Sequence, residues 1–423
     1  MNGRGGVALQ ALTKTLLKNR PYVFLLFGVF IVHVATYLIT PIFPVFLKKV
    51  HSLSLTEVGT VLGIGSFAFQ AGSLVGGVLA DRFGRRAVMT TGAALQGAAM
   101  LGYSFSQPYL AFLAFSLING IGLGFYAPAL KAMMANVVAE KYRTTAFSGR
   151  AISANLGIII AGLVVTLFAL TPNRRLFLYA AGLFWLVALL ARFSLPGDRC
   201  TRDDCRPLPL PEYTRILRHR SFLLFSAVSL LIWALYAQFA FVLPLRGEHV
   251  LGTAATIGLI YTINSTVVVL FQGLILRLVL NRINPYISLV VGTLLIGTGL
   301  FLLGFAHSFP MLSASAVIFI FGEMMFLPVL DSLIGYFSET QWLSVYFAIG
   351  NFISGIGSAL GTSIGGYLIQ KLGGVGSSTP WIVYGLVTVC FASLVGLFAL
   401  YAKPRYRQGR PEQLIFRRRE KLR

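Results

Sequence analysis

The 423-residue chain is 56% hydrophobic and 11% charged, and 35 Lys and Arg against 13 Asp and Glu give it a formal charge of +22. Soluble domains carry roughly a quarter charged residues; so little polar surface cannot wrap a core this large, and the surrounding medium has to be lipid. The positive excess then belongs to loops retained on the cytoplasmic side of a membrane, which removes nucleic acid as its explanation.

Taken in chain order, residues 1–20 form a basic, mildly apolar stretch without a convincing cleavage site, expected to be a cytoplasmic tail. A helix needs about 20 apolar residues to cross a bilayer core. Runs of that length fall at Tyr22–Leu47, Glu57–Ala80, Ala87–Phe105, Tyr109–Val137, Thr145–Phe168 and Leu176–Phe193, then at Phe222–Leu245, Thr253–Leu278, Tyr286–Ala306, Met311–Phe337, Val345–Leu372 and Trp381–Tyr401. The expected fold is an all-α membrane protein of twelve transmembrane helices in two six-helix bundles, residues 21–193 and 221–402. A Pro- and Arg-rich linker, 194–220, joins them, and a basic tail, 403–423, follows. The runs are too long for barrel strands. Cys390 lies in an apolar run and is expected to pack there, while Cys200 and Cys205 fall in the linker, where cytoplasmic thiols stay reduced and "CTRDDC" supplies too few ligands for a metal.

With the N-terminus inside, most Lys and Arg fall on the cytoplasmic face, and Lys48, Lys49, Arg174, Arg175, Arg246 and Lys371 on the other. Both termini are therefore expected in the cytoplasm, with the C-terminal tail available to anionic headgroups.

An offset of 200 residues lays Gly122–Lys131, "GLGFYAPALK", over Gly322–Asp331, "GEMMFLPVLD", and brings Phe147 onto Phe347, Gly157 onto Gly357 and Ala161 onto Gly361. One offset serving two helix pairs marks a duplicated six-helix unit. Pro128 and Pro328 each remove a backbone hydrogen bond and bend their helices, and the small residues allow close helix approach.

After the second run comes "GGVLADRFGRRAV", Gly76–Val88, in which Gly77 thins the helix and Gly84 permits a tight turn. The pattern resembles the signature loop of the Major Facilitator Superfamily, G-x-L-a-D-r-x-G-r-[kr], matching at Gly77, Leu79, Ala80, Asp81, Arg82, Gly84, Arg85 and Arg86. The resemblance covers essentially the whole chain. It implies two bundles around a midplane cavity lined by the first and fourth helices of each half, with Asp81 meeting a helix N-terminus of the opposite bundle in one access state. "YAQFAFVLPL" in the seventh run and the Gly-Glu and Pro pattern of the tenth are similar to the twelve-helix bacterial drug:proton antiporters. Two positions depart from that branch: Ser116 lies in the fourth run, which often carries an Arg, and Ala161-Gly162 stand where the fifth usually reads Gly-Pro.

Two acids remain to be explained. Glu323 falls near the membrane midplane, and Asp331 lies eight residues on, about 12 Å nearer the cytoplasm. A carboxylate facing lipid costs about 3 kcal/mol or more, so Glu323 is expected to face a cavity or a partner helix, as proton carrier, cation contact or brace. His33 is the second candidate for proton coupling. At similar depth lie Tyr37, Asn119, Tyr126, Trp233, Tyr236 and Gln238; with His33 and Glu323 they are the candidate cavity residues, equally compatible with helix packing. Lys131, the repeat mate of Asp331, is expected either to pair with it across a cytoplasmic gate or to snorkel to the interface, and Arg150 to pair with Asp81 or a headgroup. Asn155 and Asn351 are expected to brace helices.

The residues point to a monomeric secondary transporter of small organic compounds, driven by protons, with membrane lipid as its solvent and no cofactor. A facilitator or symporter for a nutrient, siderophore or lipid-like compound is the alternative, and a non-transporting sensor a remoter one. No catalytic constellation or phosphate loop supports an enzyme; "GIGLGF" fits helix packing better than nucleotide binding.

Overall fold

The computed structural model describes residues 18–139, 143–168, 174–197, 219–253, 256–280, 282–337 and 343–408. The first tail, most of the linker with Cys200 and Cys205, and residues from 409 onward lie outside them. Fourteen helices account for the described chain: α1 (Arg20–Ile39), α2 (Phe43–Lys49), α3 (Leu55–Phe83), α4 (Arg85–Phe105), α5 (Tyr109–Val137), α6 (Arg143–Phe168), α7 (Arg174–Ser194), α8 (Arg220–Tyr236), α9 (Gln238–Leu251), α10 (Ile257–Ile275), α11 (Pro285–Leu303), α12 (Phe309–Phe337), α13 (Leu343–Lys371) and α14 (Thr379–Gln408).

Two of the expected spans are each built from two helices. Pro41 and Pro44 remove two backbone donors within four residues, and the first span divides there into α1 and α2. The seventh divides at Ala237 into α8 and α9, the latter carrying Pro244. A short π-turn, Leu276–Leu280, ends the eighth, and α14 runs past residue 402 to Gln408. Cys390 is exposed on α14 rather than packed.

Among the described residues, eleven spans are long and apolar enough to cross a bilayer. The twelfth, α4, falls short by composition because it is rich in Gly, Ala, Thr and Gln. Its buried face, which includes Gly92, Ala93, Gln96, Gly97 and Ala99, meets protein rather than lipid, so small size serves it better than oiliness.

The helices pack as two equivalent sets. In the first, α5 lies against α3 and α4, α4 against α7, and α1 against α6 and α7; in the second, α12 lies against α10 and α11, α11 against α14, and α8 against α13 and α14. The 200-residue offset holds at the level of atoms. A Cβ on Gly122 would strike Gly92 and Gln96, and one on Gly322 would strike Gly292 and Ile296. One on Gly157 would strike the carbonyl of Phe30, and one on Gly357 that of Leu230.

Two helix pairs join the halves, α3 with α13 and α6 with α10, and the internal symmetry exchanges them. Both seams close at one end only. Along α3, contact runs from Leu55 against Gly366, through Gly63 against Ala359, to Gln70 against Gly355. Beyond that the helices part, and Val75 and Val78 are 52% and 64% exposed. Gly162 and Gly258 cross backbone to backbone, and the Thr262 hydroxyl donates to Ile159 at 3.2 Å. Further along this second pair Ile152, Val269 and Leu270 are exposed. The molecule is a V, shut at the end carrying residues 50–54 and open at the end carrying Gly84.

The shut end is latched. Lys49 of α2 and Glu248 of α9 form an ion pair across the two halves, and the amide and hydroxyl of Thr56 donate to Gln370 at 3.1 and 2.8 Å. Ser54 and Glu57 cap α3 reciprocally, which accounts for that acid. Arg246, expected on the loop face, is instead 3% exposed. It donates to the carbonyls of Leu303, Gly304, Ala306 and Val375 at 2.7–3.2 Å and lies over the Trp381 ring. The carbonyls at the end of α11 lack intrahelical partners, and this cation supplies donors to them beside the Ala306 N–H that reaches Leu303.

Candidate functional site

Glu323 sits midway along α12, partly exposed, one turn before Phe326 and two before Leu330. Tyr236 at the end of α8 and Tyr37 of α1 both lie within reach of its charge. Aromatic rings enclose this group. Tyr236 packs edge-on to Trp233 at 5.2 Å, stacks on Phe319 at 5.7 Å, and tilts against Phe326 at 5.4 Å. Phe239 stacks on Phe319 at 4.0 Å and meets Tyr261 of α10 at 6.2 Å; Tyr261 closes edge-on against Tyr37 at 5.8 Å. Four of the expected cavity residues, Tyr37, Trp233, Tyr236 and Glu323, are thus brought together from both halves.

Sequence reasoning passed over Tyr261 and Asn264, which the same turn of α10 presents. Both are buried, and neither the Tyr261 hydroxyl nor the Asn264 amide has a hydrogen-bond partner. Buried polar atoms are rarely left so outside sites that take up water or ligand. The available signal was "YTINST", a polar interruption in an otherwise apolar run.

Asn119 belongs elsewhere. It lines a cavity of about 260 Å³ in the first half, where Thr36, Thr40, Ser66, Gln96, Tyr103 and Ser116 add polar groups to the walls and Ala240 closes it from the second half. The Asn119 Oδ1 is buried without a donor. Gln238 makes protein contacts: it is buried, donates to the carbonyls of Gly361 and Ala234, and accepts from Tyr384 at 2.9 Å. It braces α9, α13 and α14, because an amide can satisfy three backbone and side-chain partners where helices converge.

His33 points its Nδ1 at the Val29 carbonyl, 2.8 Å away on its own helix. Its charged neighbour is Arg150, not Glu323. Tyr126 is 3% exposed with an unpartnered hydroxyl and also lies beside Arg150. Lys131 and Asp331 are exposed at the open end, within electrostatic reach of each other but not paired. Asn155 donates to Ala151 within its own helix, and Asn351 accepts from Ser354 through its carbonyl; neither braces a neighbouring helix by its side chain in these contacts.

In the signature loop, Gly84 adopts φ +91°, which separates α3 from α4 without residues to spare. Arg86 donates to the Leu195 carbonyl at 3.1 Å, capping α7, and Arg82 lies over Phe83. The Asp81 side chain lies outside the described residues. Gly77, expected to thin a helix contact, has nothing within 4 Å; its neighbour Gly76 makes the close approach, to Gly124 and Phe125.

Residues 25–287 and 248–419 match the model of the Major Facilitator Superfamily. The chain is 22% identical to the MFS-type transporter YqjV of Bacillus subtilis, over 92% of this chain and 94% of that one. It is 23% identical to the multidrug resistance protein MdtH of Aeromonas salmonicida, over 78% and 83%. Its fold is similar to the crystal structure of the nucleoside transporter NupG, with a TM-score of 0.76 at 14% identity, covering 89% of this chain and 98% of that one.

Proposed function

Because this chain belongs to the Major Facilitator Superfamily, and is therefore a multi-pass membrane transporter, we propose that it exports small organic compounds, amphipathic or cationic, in exchange for protons. The observation that carries the reading is the Glu323 carboxyl midway along α12, beside Tyr236 and its shell of aromatic rings. A carboxyl in such surroundings has two ways to be neutralised: it takes a proton, or it holds a cation against the ring faces. The two occupants exclude each other, which is what exchange needs. Tyr236 positions the carboxyl, and Tyr37 and Tyr261 place the first span and α10 against the same group. Similarity to MdtH supports the class of cargo.

In this reading the open end faces the cytoplasm together with both termini, where the basic loops belong. Lys131 and Asp331 separate in this state and pair when that end closes, while Lys49 and Glu248 part. Rocking of one half on the other exchanges the two latches.

Proteoliposomes with an imposed pH gradient test the proposal. Uptake of a fluorescent organic cation should follow the gradient, and Glu323→Gln should abolish gradient-driven uptake while leaving binding of the cation measurable. Uptake that is equally fast without a gradient would make the protein a facilitator instead.

A further inference from the structure

Arg150 carries a charge that Glu323 cannot answer. It lies seven residues into α6, about 10 Å from the helix end, on the stripe that includes the buried Ala146, Ala154, Gly157 and Ala161 rather than on the face of the exposed Ile152 and Leu156. Its Nε is buried with no hydrogen-bond partner, and it belongs to no ion pair among the described residues. The titratable groups around it are His33, Tyr126 and Lys131. The acid near this set is Asp331, which lies beside Lys131. The Tyr126 hydroxyl is also buried and unpartnered.

Two cations thus share one nearby acid, and of the two it is Arg150 whose Nε is held away from water, where an unanswered charge is expensive. A lone guanidinium offers a planar fork of donors matched to two oxygens of one anionic group. The phenol behind it adds another unpaired donor. We infer that Arg150, supported by Tyr126 and the field of Lys131, binds the anionic oxygens of a carried compound, a carboxylate above all, on the half opposite Glu323. The inference rests on the transporter reading and sharpens it: one half presents a cation-seeking carboxyl and the other an anion-seeking guanidinium, so amphoteric compounds are the cargo. A lipid phosphate offers the same chemistry, but the stripe that bears Arg150 faces protein, which favours cargo.

The test uses the full chain in phosphatidylcholine nanodiscs and matched probes: norfloxacin against its ethyl ester, and indole-3-acetate against indole-3-acetamide, with affinity read from thermal-shift titrations. The wild type should bind each acid more tightly than its uncharged partner. Arg150→Gln should weaken the acids by about ten- to hundredfold, the size of a hydrogen bond to a charged group, and leave the ester and the amide unchanged. Arg150→Lys should recover part of the loss, and Tyr126→Phe should lose less than Arg150→Gln. Equal binding of acids and partners by the wild type overturns the inference, as does an equal loss of both in Arg150→Gln. If added phosphatidylglycerol displaces the acids without Arg150→Gln changing any cargo preference, the site serves headgroups and the cargo assignment is wrong. Proton-driven flux of the ester that still depends on Glu323 would then keep the transporter reading intact, so the two failures are told apart.

Discussion

Gly59 and Gly77 are 18 residues apart on α3, five helical turns, so they share a face about 27 Å from each other. Gly59 lies in the closed part of the seam: a Cβ there would fall inside the Thr362 carbonyl, 3.1 Å from its carbon and 3.4 Å from the Gly366 Cα. Gly77 lies where the seam has opened, with nothing within 4 Å. Backbone cannot yield as a flexible side chain does, so Gly59→Ala must push α3 and α13 apart by about 1 Å, at an overpacking cost of about 1–3 kcal/mol. That cost falls on this conformation alone, and shifts the balance between the two access states by about 5- to 150-fold. Gly77→Ala costs nothing here and obstructs the opposite state, so it shifts the balance the other way. Spin labels on α3 and α13 at each end, with distances measured by pulsed electron resonance, read the populations. Gly59→Ala should lengthen the distance at the end of residues 50–54, and Gly77→Ala should sharpen the present distribution. If Gly59→Ala leaves both distances unchanged, or the two substitutions move them the same way, the rocking seam is not how the halves move.

Three further expectations concern other parts of the molecule. Arg246→Ala takes the side-chain donor from four carbonyls, of which Leu303 keeps the Ala306 N–H, and should cost about 3–5 kcal/mol of stability, seen as a large fall in melting temperature in detergent; a fall no greater than that of an exposed Lys48→Ala would refute the capping role. His51, in the loop before α3, packs between Phe46 and Phe112, and burial, with Arg174 nearby, lowers its pKa. The unfolded imidazole therefore takes its proton first, so stability should be full above about pH 6.5 and fall as pH drops below it, and His51→Phe should flatten that acid limb; an unaltered limb would mean other groups set it. Lys131→Asp and Asp331→Lys should each slow transport and together restore part of it, and a double variant no better than either single one would remove the pairing.

The repeat was legible in the sequence because equivalent helices meet equivalent neighbours: the Gly at 122 and 322 is small for the same packing reason in each half. Span count was nearly as legible, since lipid imposes length and apolarity on every exposed helix. It blurred at α4, which protein surrounds, and at Pro41 and Pro44, whose missing donors divide one span into two. The candidate site was legible in part. Glu323 stood out because an acid in an apolar run needs a reason, and aromatics at similar depth found it.

Which way each polar side chain turns was not written in the run that holds it. Gln238 and Tyr236 lie two residues apart, so they leave the span in different directions, and only the convergence of α9, α13 and α14 decides that one is a brace. Arg246 looked like a loop cation until the end of α11 placed carbonyls around it. The amino-acid sequence alone determined what the medium is, how many times the chain crosses it and that its halves are copies, because those follow from composition and local periodicity. Tertiary structure decided which end is shut, which glycines touch and which charges go unanswered, because those depend on contacts between residues that the chain itself keeps far apart.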